Sequence, residues 1–197
     1  MNNFTVRTLP GVLVSILLTL PSLAFTPTIG IIQPRGGQRG TEMTIRLSGD
    51  RLYEPQEILL YQPGITISNL EKEGDQHKVV KATITIAPNA PLGEHLMRLR
   101  CKGGVTYQRS FWVGQYPTVM EKRTEDGTRD LNSNFNEPQE IGINQTVQGV
   151  ADREDADYYL LQCKKGQRLS VEVEGMRLGR ILFDPYVAIL NKDRFEL

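Results

Sequence analysis

The residues best suited to chemistry in this chain form an acidic turn. Four carboxylates lie within six positions, at Asp152, Glu154, Asp155 and Asp157. Carboxylates this close repel one another unless water solvates them or a hard cation bridges them, and Ca²⁺ takes roughly six to eight oxygen ligands. The turn therefore has two interpretations: a solvated connection between two strands, or a place where the carboxylates bind a hard cation such as Ca²⁺.

Residue sets typical of catalysis are absent from the sequence. It contains neither a G-x-S-x-G nucleophile motif nor an H-E-x-x-H zinc motif. His77 and His95 are not spaced as metal ligands, and we expect both at the surface. Cys101 and Cys163 have no activating base nearby, so we expect two buried free thiols, with a disulfide between them as the alternative. The sequence therefore predicts no catalytic site.

Two further features could contact a ligand. The glycine-rich run at residues 35–40 is followed by a strand-like segment and not by a helix, so it lacks the helix N-terminus of a phosphate-binding loop, and we expect a plain turn. Strand alternation places Trp112 opposite Phe111 and Val113. An outward Trp112 would either stack on a sugar ring or cover the linker or the second half of the chain.

Composition and charge exclude some classes of protein. The 197 residues include 23 Lys and Arg and 23 Asp and Glu, so the formal net charge is zero. A neutral chain lacks the positive field that holds a polyanion, so we expect no nucleic-acid partner. Hydrophobic residues make up 39% of the chain, which is ordinary for a globular protein.

Residues 1–24 are typical of a secretory signal peptide. Arg7 supplies the positive charge, residues 12–20 form an apolar run, and Ser22 and Ala24 are the small residues of a cleavage site. The alternative is an uncleaved N-terminal anchor. We expect an exported protein, in the periplasm, at the cell surface or outside the cell, with no transmembrane span after cleavage.

The first half, residues 25–119, alternates apolar and polar side chains with period two. The apolar positions are Met43, Ile45 and Leu47, then Val80, Ala82, Ile84 and Ile86, then Met97, Leu99 and Cys101. Turn residues separate these runs. Short strands at this spacing predict an antiparallel β-sandwich.

Two passages of this half carry a family resemblance. Residues 41–52 read TEMTIRLSGDRL, and residues 88–95 read PNAPLGEH. They are similar to the opening strand and to a late turn of bacterial immunoglobulin-like domains of the IPT/TIG kind. The resemblance implies an immunoglobulin-like sandwich that acts as a spacer or an interaction module.

Residues 120–136 are polar and charged without a period, and we interpret them as a linker. Strand-like segments resume in residues 137–197, at residues 146–150, 158–163, 169–173 and 186–190. The fold class predicted for the whole chain is all-β, with two tandem β-sandwich modules, the first immunoglobulin-like and the second jelly-roll-like and truncated.

The second half carries the more specific resemblance. Its motifs are VQGV at 147–150, DADYY at 155–159, KGQRLSV at 165–171, RLG at 177–179 and DPY at 184–186. They resemble the bacterial pre-peptidase C-terminal (PPC) domain, without that domain's last strands, so we expect a fragment of a longer protein. The resemblance implies a non-catalytic sandwich. In some members of the family, acids of the turn at 152–157 hold Ca²⁺ together with the segment that precedes the domain. By position, the resemblance implies Asp152 and Asp155 or Asp157 as ligands, with Asn134, Asn136 and Glu137 from the linker.

The function expected from the sequence is a non-catalytic, exported binding or spacer protein of the bacterial envelope or exterior. Its partner would be an extracellular polymer, either protein or polysaccharide. One alternative is the accessory region of a secreted peptidase or other hydrolase whose catalytic domain lies outside this chain. Another is a self-contained calcium-dependent adhesin.

Overall fold

The computed structural model describes residues 26–152, 155–179 and 184–197, so the predicted signal peptide lies outside the described residues. The described part contains strands and no helix, which confirms the all-β prediction. It therefore includes no helix with the length and hydropathy that a membrane crossing requires. The strands are β1 (Thr28–Gln33), β2 (Gly36–Gln38), β3 (Glu42–Asp50), β4 (Pro55–Leu60), β5 (Ile65–Glu73), β6 (Val79–Ile86), β7 (Gly93–Cys101), β8 (Gly104–Val105), β9 (Arg109–Gly114), β10 (Thr118–Met120), β11 (Gln139–Ile141), β12 (Thr146–Gln148) and β13 (Tyr159–Leu161).

The first nine strands form a β-sandwich. One sheet has the order β1-β3-β6-β5, and the other has the order β2-β9-β7-β4, with β8 paired to β7. All pairs in the sandwich are antiparallel except β2 with β9. This is the four-plus-three strand order of an immunoglobulin constant-type sandwich, with the short β2 added at one edge.

Alternation along the strands builds the core between these sheets. On β3, Ile45 and Leu47 are fully buried while Thr44 and Arg46 are exposed, because successive side chains of a strand point to opposite faces. On β9, Phe111 and Val113 are fully buried, and Trp112 between them is half-buried. The apolar positions predicted on β3, β6 and β7 therefore face the core, with Met43 only partly buried at its margin.

The glycine-rich run differs from the predicted plain turn. Gly36 and Gly37 lie in β2, which pairs with Trp112 and Val113 of β9. A Cβ at Gly36 would approach the Trp112 carbonyl oxygen to 2.5 Å, so only glycine allows the two backbones to come this close. The run is an edge strand because its glycines remove the side chains that would keep β2 away from β9.

The second half is built differently. Its strands are short and form two parallel pairs, β10 with β12 and β11 with β13. Strand β10 begins before residue 120, and β11 follows the predicted linker, so the linker joins two strands of this half. The segments 169–173 and 186–190 are both predicted as strands, but the described residues provide no strand ladder for either. Pairing at 186–190 is limited to an isolated bridge between Leu190 and Glu196, beside which the Leu197 N–H donates to the Ile189 carbonyl at 2.9 Å.

Burial also separates the two halves. Every buried hydrophobic side chain among the described residues lies between Ile29 and Val113. Beyond Val113, the buried side chains of the described residues are polar: Glu121, Asp130, Asn132 and Gln139. The described part of the second half is therefore organised around polar groups rather than around an apolar core.

Candidate metal centre

Three carboxylates from two distant segments meet in the second half. Asp130 lies in the predicted linker, where it forms an isolated bridge with Arg123, and Asp155 and Asp157 lie in the acidic turn before β13. Each contributes one oxygen, and these oxygens all lie within 4.8 Å of one another. Asp130 is buried, and the other two are half-buried. Such a spacing suits oxygens that surround one cation.

A buried amide adds a second feature to this cluster. Asn132 is 0% exposed, and neither its Oδ1 nor its Nδ2 makes a hydrogen bond of normal geometry in the described part of the chain, although the amide lies close enough to the Tyr159 hydroxyl to offset part of the rise in that group's pKa. Its backbone carbonyl accepts a hydrogen bond from the N–H of Tyr158, at 2.8 Å, which ties the 130–132 segment to the chain after Asp157. One oxygen of Asp157 is buried and unpartnered in the same way. Buried polar atoms without partners are costly, and a cation bound by the two oxygens would remove much of that cost.

The electrostatics of the cluster oppose the ionisation of one member. Burial raises the pKa of the Asp157 carboxyl to about 7, and the neighbouring charges of Glu121, Asp155 and Asp130 contribute to this rise. The pKa of Asp130 is lowered instead, chiefly because its carboxylate accepts a hydrogen bond from the Ser133 hydroxyl. A divalent cation would favour the ionised form of all three carboxylates, since it supplies the opposite charge.

Glu121 holds the elements around the cluster together. Its side chain is 1% exposed. Its Oε2 accepts hydrogen bonds from the Val150 N–H and from Arg123 Nη1, both at 3.1 Å, and its Oε1 accepts one from the Tyr159 hydroxyl at 3.2 Å. Burial and the nearby Glu121 charge raise the pKa of Tyr159 well above its ordinary range. Glu121 therefore links the chain just after β10 to both ends of the acidic turn.

Asp152, Asp155 and Asp157, the residues that the sequence predicts as ligands, are only partly brought together. Asp155 and Asp157 lie in the cluster. Asp152 instead accepts a hydrogen bond from Arg123 Nη2 at 2.9 Å, and its own N–H donates to Asp155 Oδ2 at 3.2 Å. Glu154 lies outside the described residues.

The linker residues implied by the family resemblance make other contacts. Asn134 Oδ1 accepts a hydrogen bond from the Asn136 N–H at 3.0 Å, and Asn136 Oδ1 accepts one from Arg194 Nη2 at 3.0 Å. Glu137 donates its N–H to the Asn134 carbonyl at 2.9 Å. In this structure the linker contributes Asp130 to the cluster, and Asn132 is buried two residues further along the chain.

Asp130 and Asn132 are absent from the ligands expected from the sequence. A signal for them is present, because Asp130, Asn132 and Asn134 form a D-x-N-x-N run. Oxygen-bearing residues at alternate positions are the pattern with which calcium-binding loops begin. The run is hard to distinguish because most residues of the predicted linker are polar or charged.

The donor set decides which kind of ion suits the site. All the candidate ligands are carboxylate or amide oxygens, and the cluster contains neither His nor Cys. Hard cations such as Ca²⁺ prefer oxygen ligands, whereas Zn²⁺ favours imidazole and thiolate. The residues present therefore fit Ca²⁺ and would hold it through Asp130, Asn132, Asp155 and Asp157.

The histidines lie in the first sandwich. The prediction that both are surface residues is wrong for His95, which is 2% exposed on β7 with its Nε2 2.8 Å from the Pro91 carbonyl oxygen. It is buried because it shares the inward face of β7 with Met97 and Leu99. His77 is half-buried and packs against Tyr53, with 4.4 Å between the ring centroids.

The two cysteines form no disulfide with each other. Both cysteines are free. Cys101 is buried, and that burial raises the pKa of its thiol to about 11. Cys163 is predicted to be buried but is exposed, since it follows the end of β13.

Trp112 lies opposite Glu94 in the ladder between β9 and β7, and Glu94 accepts a hydrogen bond from Arg177 at 2.7 Å. Arg177 of the second half therefore contacts the outer face of this sheet beside Trp112.

No family model matches the chain, and no curated protein matches it.

Proposed function

We propose that this chain is a non-catalytic, exported binding or spacer protein of the bacterial envelope or exterior, and that its second half is held together by a structural calcium ion. The observation that carries the calcium proposal is the cluster of Asp130, Asp155 and Asp157, with the fully buried amide of Asn132 two residues after Asp130 in the chain. The proposed partner is an extracellular polymer, either protein or polysaccharide.

The position of the cluster favours a structural role for the ion. Its ligands come from residues 130–132 and from residues 155–157, so one ion would cross-link two segments that lie far apart in sequence. The buried side chains around it are polar, and no apolar core supports these segments in the described residues. Binding that requires the folded arrangement stabilises it, because the unfolded chain does not hold the ligands together.

The predicted export of the protein supports the calcium proposal, because an exported chain is exposed to calcium outside the cell. The N-terminal segment has the pattern of a secretory signal peptide, so the mature chain would meet extracellular calcium. Extracellular calcium modules work with dissociation constants of about 10⁻⁴ to 10⁻³ M. A site with three carboxylates and one amide needs no greater affinity than this to be filled outside the cell.

The test is calcium titration of the purified chain by calorimetry, with melting curves recorded in Ca²⁺ and in EDTA. We expect the wild-type protein to bind one Ca²⁺ and to melt at a higher temperature in Ca²⁺ than in EDTA. Asp155→Asn and Asp157→Asn should each weaken binding by about tenfold or more, because each removes a charged ligand.

Asp75→Asn is the matched control, since the Asp75 side chain is fully exposed in a turn of the first sandwich. It should bind Ca²⁺ as the wild-type protein does. A wild-type chain that shows neither heat of binding nor a calcium-dependent melting temperature would refute the calcium site.

A further inference from the structure

Gly149 lies directly against the carboxylate of Glu121. A Cβ built at Gly149 would come to 2.8 Å from Glu121 Oε1 and 3.0 Å from its Cδ, and these are the contacts in its way. The φ angle of Gly149 lies outside the left-handed region, so its backbone conformation does not itself require glycine. Glycine at position 149 therefore leaves the space that the Glu121 side chain occupies.

Both oxygens of Glu121 are already engaged by the protein. Oε2 accepts from the Val150 N–H and from Arg123, and Oε1 accepts from the Tyr159 hydroxyl. Val150 precedes the acidic turn and Tyr159 follows it, so these bonds fix the two ends of the segment that carries Asp155 and Asp157. Arg123 extends the network to Asp152 within the turn, at 2.9 Å.

We propose that Glu121 is the positioning residue of the cation site: its buried carboxylate, seated in the space that Gly149 leaves, holds the acidic turn against the linker so that Asp155 and Asp157 reach Asp130. This inference rests on the proposed function and adds to it a residue outside the ligand set. Glu121 affects cation binding indirectly, by positioning the ligands, because it accepts hydrogen bonds from Val150 and Tyr159 at the two ends of the turn.

Gly149→Ala offers a clean way to move Glu121. The three atoms nearest to the added methyl group all belong to the carboxyl group at the end of the Glu121 side chain, so we expect the carboxylate to shift while the backbone keeps its path. The variant removes no candidate ligand and no charge. Glu121→Gln is the second variant, because an amide has one acceptor oxygen and cannot replace both oxygens of the carboxylate.

Gly142→Ala is the matched control. It also lies in the second half, its φ is outside the left-handed region, and the three atoms nearest to its Cβ would all belong to the Gln145 side chain, at 3.3 Å or more. Terbium(III) is the probe, because it replaces Ca²⁺ at oxygen sites and its luminescence is sensitised by a nearby tyrosine, here Tyr159.

The experiment titrates each full-length variant with terbium and records luminescence intensity and lifetime in H₂O and D₂O. Gly149→Ala and Glu121→Gln should bind terbium about tenfold or more weakly than the wild-type protein and leave more water on the bound ion. Gly142→Ala should match the wild-type protein. Melting curves of the metal-free proteins, recorded alongside, separate a loss of ligand positioning from a loss of folding.

The outcomes distinguish this inference from the proposed function. If the wild-type protein binds terbium and Gly149→Ala binds it equally well with the same hydration, the positioning role is refuted and the cation site stands. The role is also refuted if Glu121→Gln alone loses affinity, since Glu121 would then act by its charge or as a ligand. If the wild-type protein binds no terbium and no Ca²⁺, the site fails and the inference fails with it.

Discussion

At the scale of single residues, the surroundings of the Asp157 carboxyl oppose its ionisation. Its pKa rises from 3.8 to about 7, because it is buried and because Glu121, Asp155 and Asp130 surround it with negative charge. In the folded, metal-free protein it therefore binds a proton that the unfolded chain releases between about pH 4 and pH 7. Protonation favours the folded state across this window.

The metal-free protein should accordingly become more stable as the pH falls from 8 to 5. The measurement is the melting temperature in EDTA, followed by circular dichroism at several pH values. Asp157→Asn is the control, because it removes the titrating group and should flatten the trend. A melting temperature that falls equally in both proteins as the pH is lowered would contradict the electrostatic conflict at Asp157.

Single residues also show how far the sequence predicts the site. Asp155 and Asp157 could be predicted because crowded carboxylates are visible along the chain. Asp130 and Asn132 could not be ranked above their polar neighbours, because their burial depends on the approach of the acidic turn. Spacing alone groups Asp152 with the ligands, whereas Arg123, a residue 29 positions away, draws it into an ion pair.

At the scale of elements, alternation on a strand predicts its buried face and little else. Strand β3 is informative because it pairs on both sides, with β1 and β6, so its inward residues lie in the middle of a sheet. Ile45 is 0% exposed on this strand, and Thr44 beside it is exposed. The two residues differ in burial while sharing the same backbone environment.

Ile45→Ala should lower the free energy of unfolding of the first sandwich by about 2–5 kcal/mol, because it removes buried methyl groups and leaves a cavity. Thr44→Ala should lower it by less than about 1 kcal/mol. Urea denaturation followed by the fluorescence of Trp112 measures both values. Equal effects of the two substitutions would mean that Ile45 does not face the core.

The same alternation predicts less in the second half, for a physical reason. Residues 169–173 alternate as clearly as β3 does, yet a strand forms only when another strand offers its backbone groups. The pairs that do form, β10 with β12 and β11 with β13, are parallel and join segments about 20 residues or more apart. A local pattern contains no information about such partners, whereas consecutive antiparallel strands of the first half, such as β5 and β6, pair through short turns.

At the scale of the whole molecule, the chain combines two parts that are stabilised in different ways. The first sandwich has a continuous apolar core from Ile29 to Val113. The described second half has a polar cluster, and by the proposed function its stability depends on a cation. A hydrophobic core does not respond to millimolar calcium, but a set of crowded carboxylates does.

The two parts should therefore unfold in two transitions of different calcium sensitivity. Differential scanning calorimetry of the full chain in EDTA and in Ca²⁺ should show one transition that stays in place and one that moves upward with Ca²⁺. Calcium at a hundredfold excess over its dissociation constant would add about 2.7 kcal/mol to the second part. Ile45→Ala should lower only the first transition, and Asp157→Asn should reduce only the calcium response of the second. A single transition that shifts as a whole with Ca²⁺ would show instead that the ion stabilises both parts together, and the stability of the sandwich would then depend on the acidic cluster.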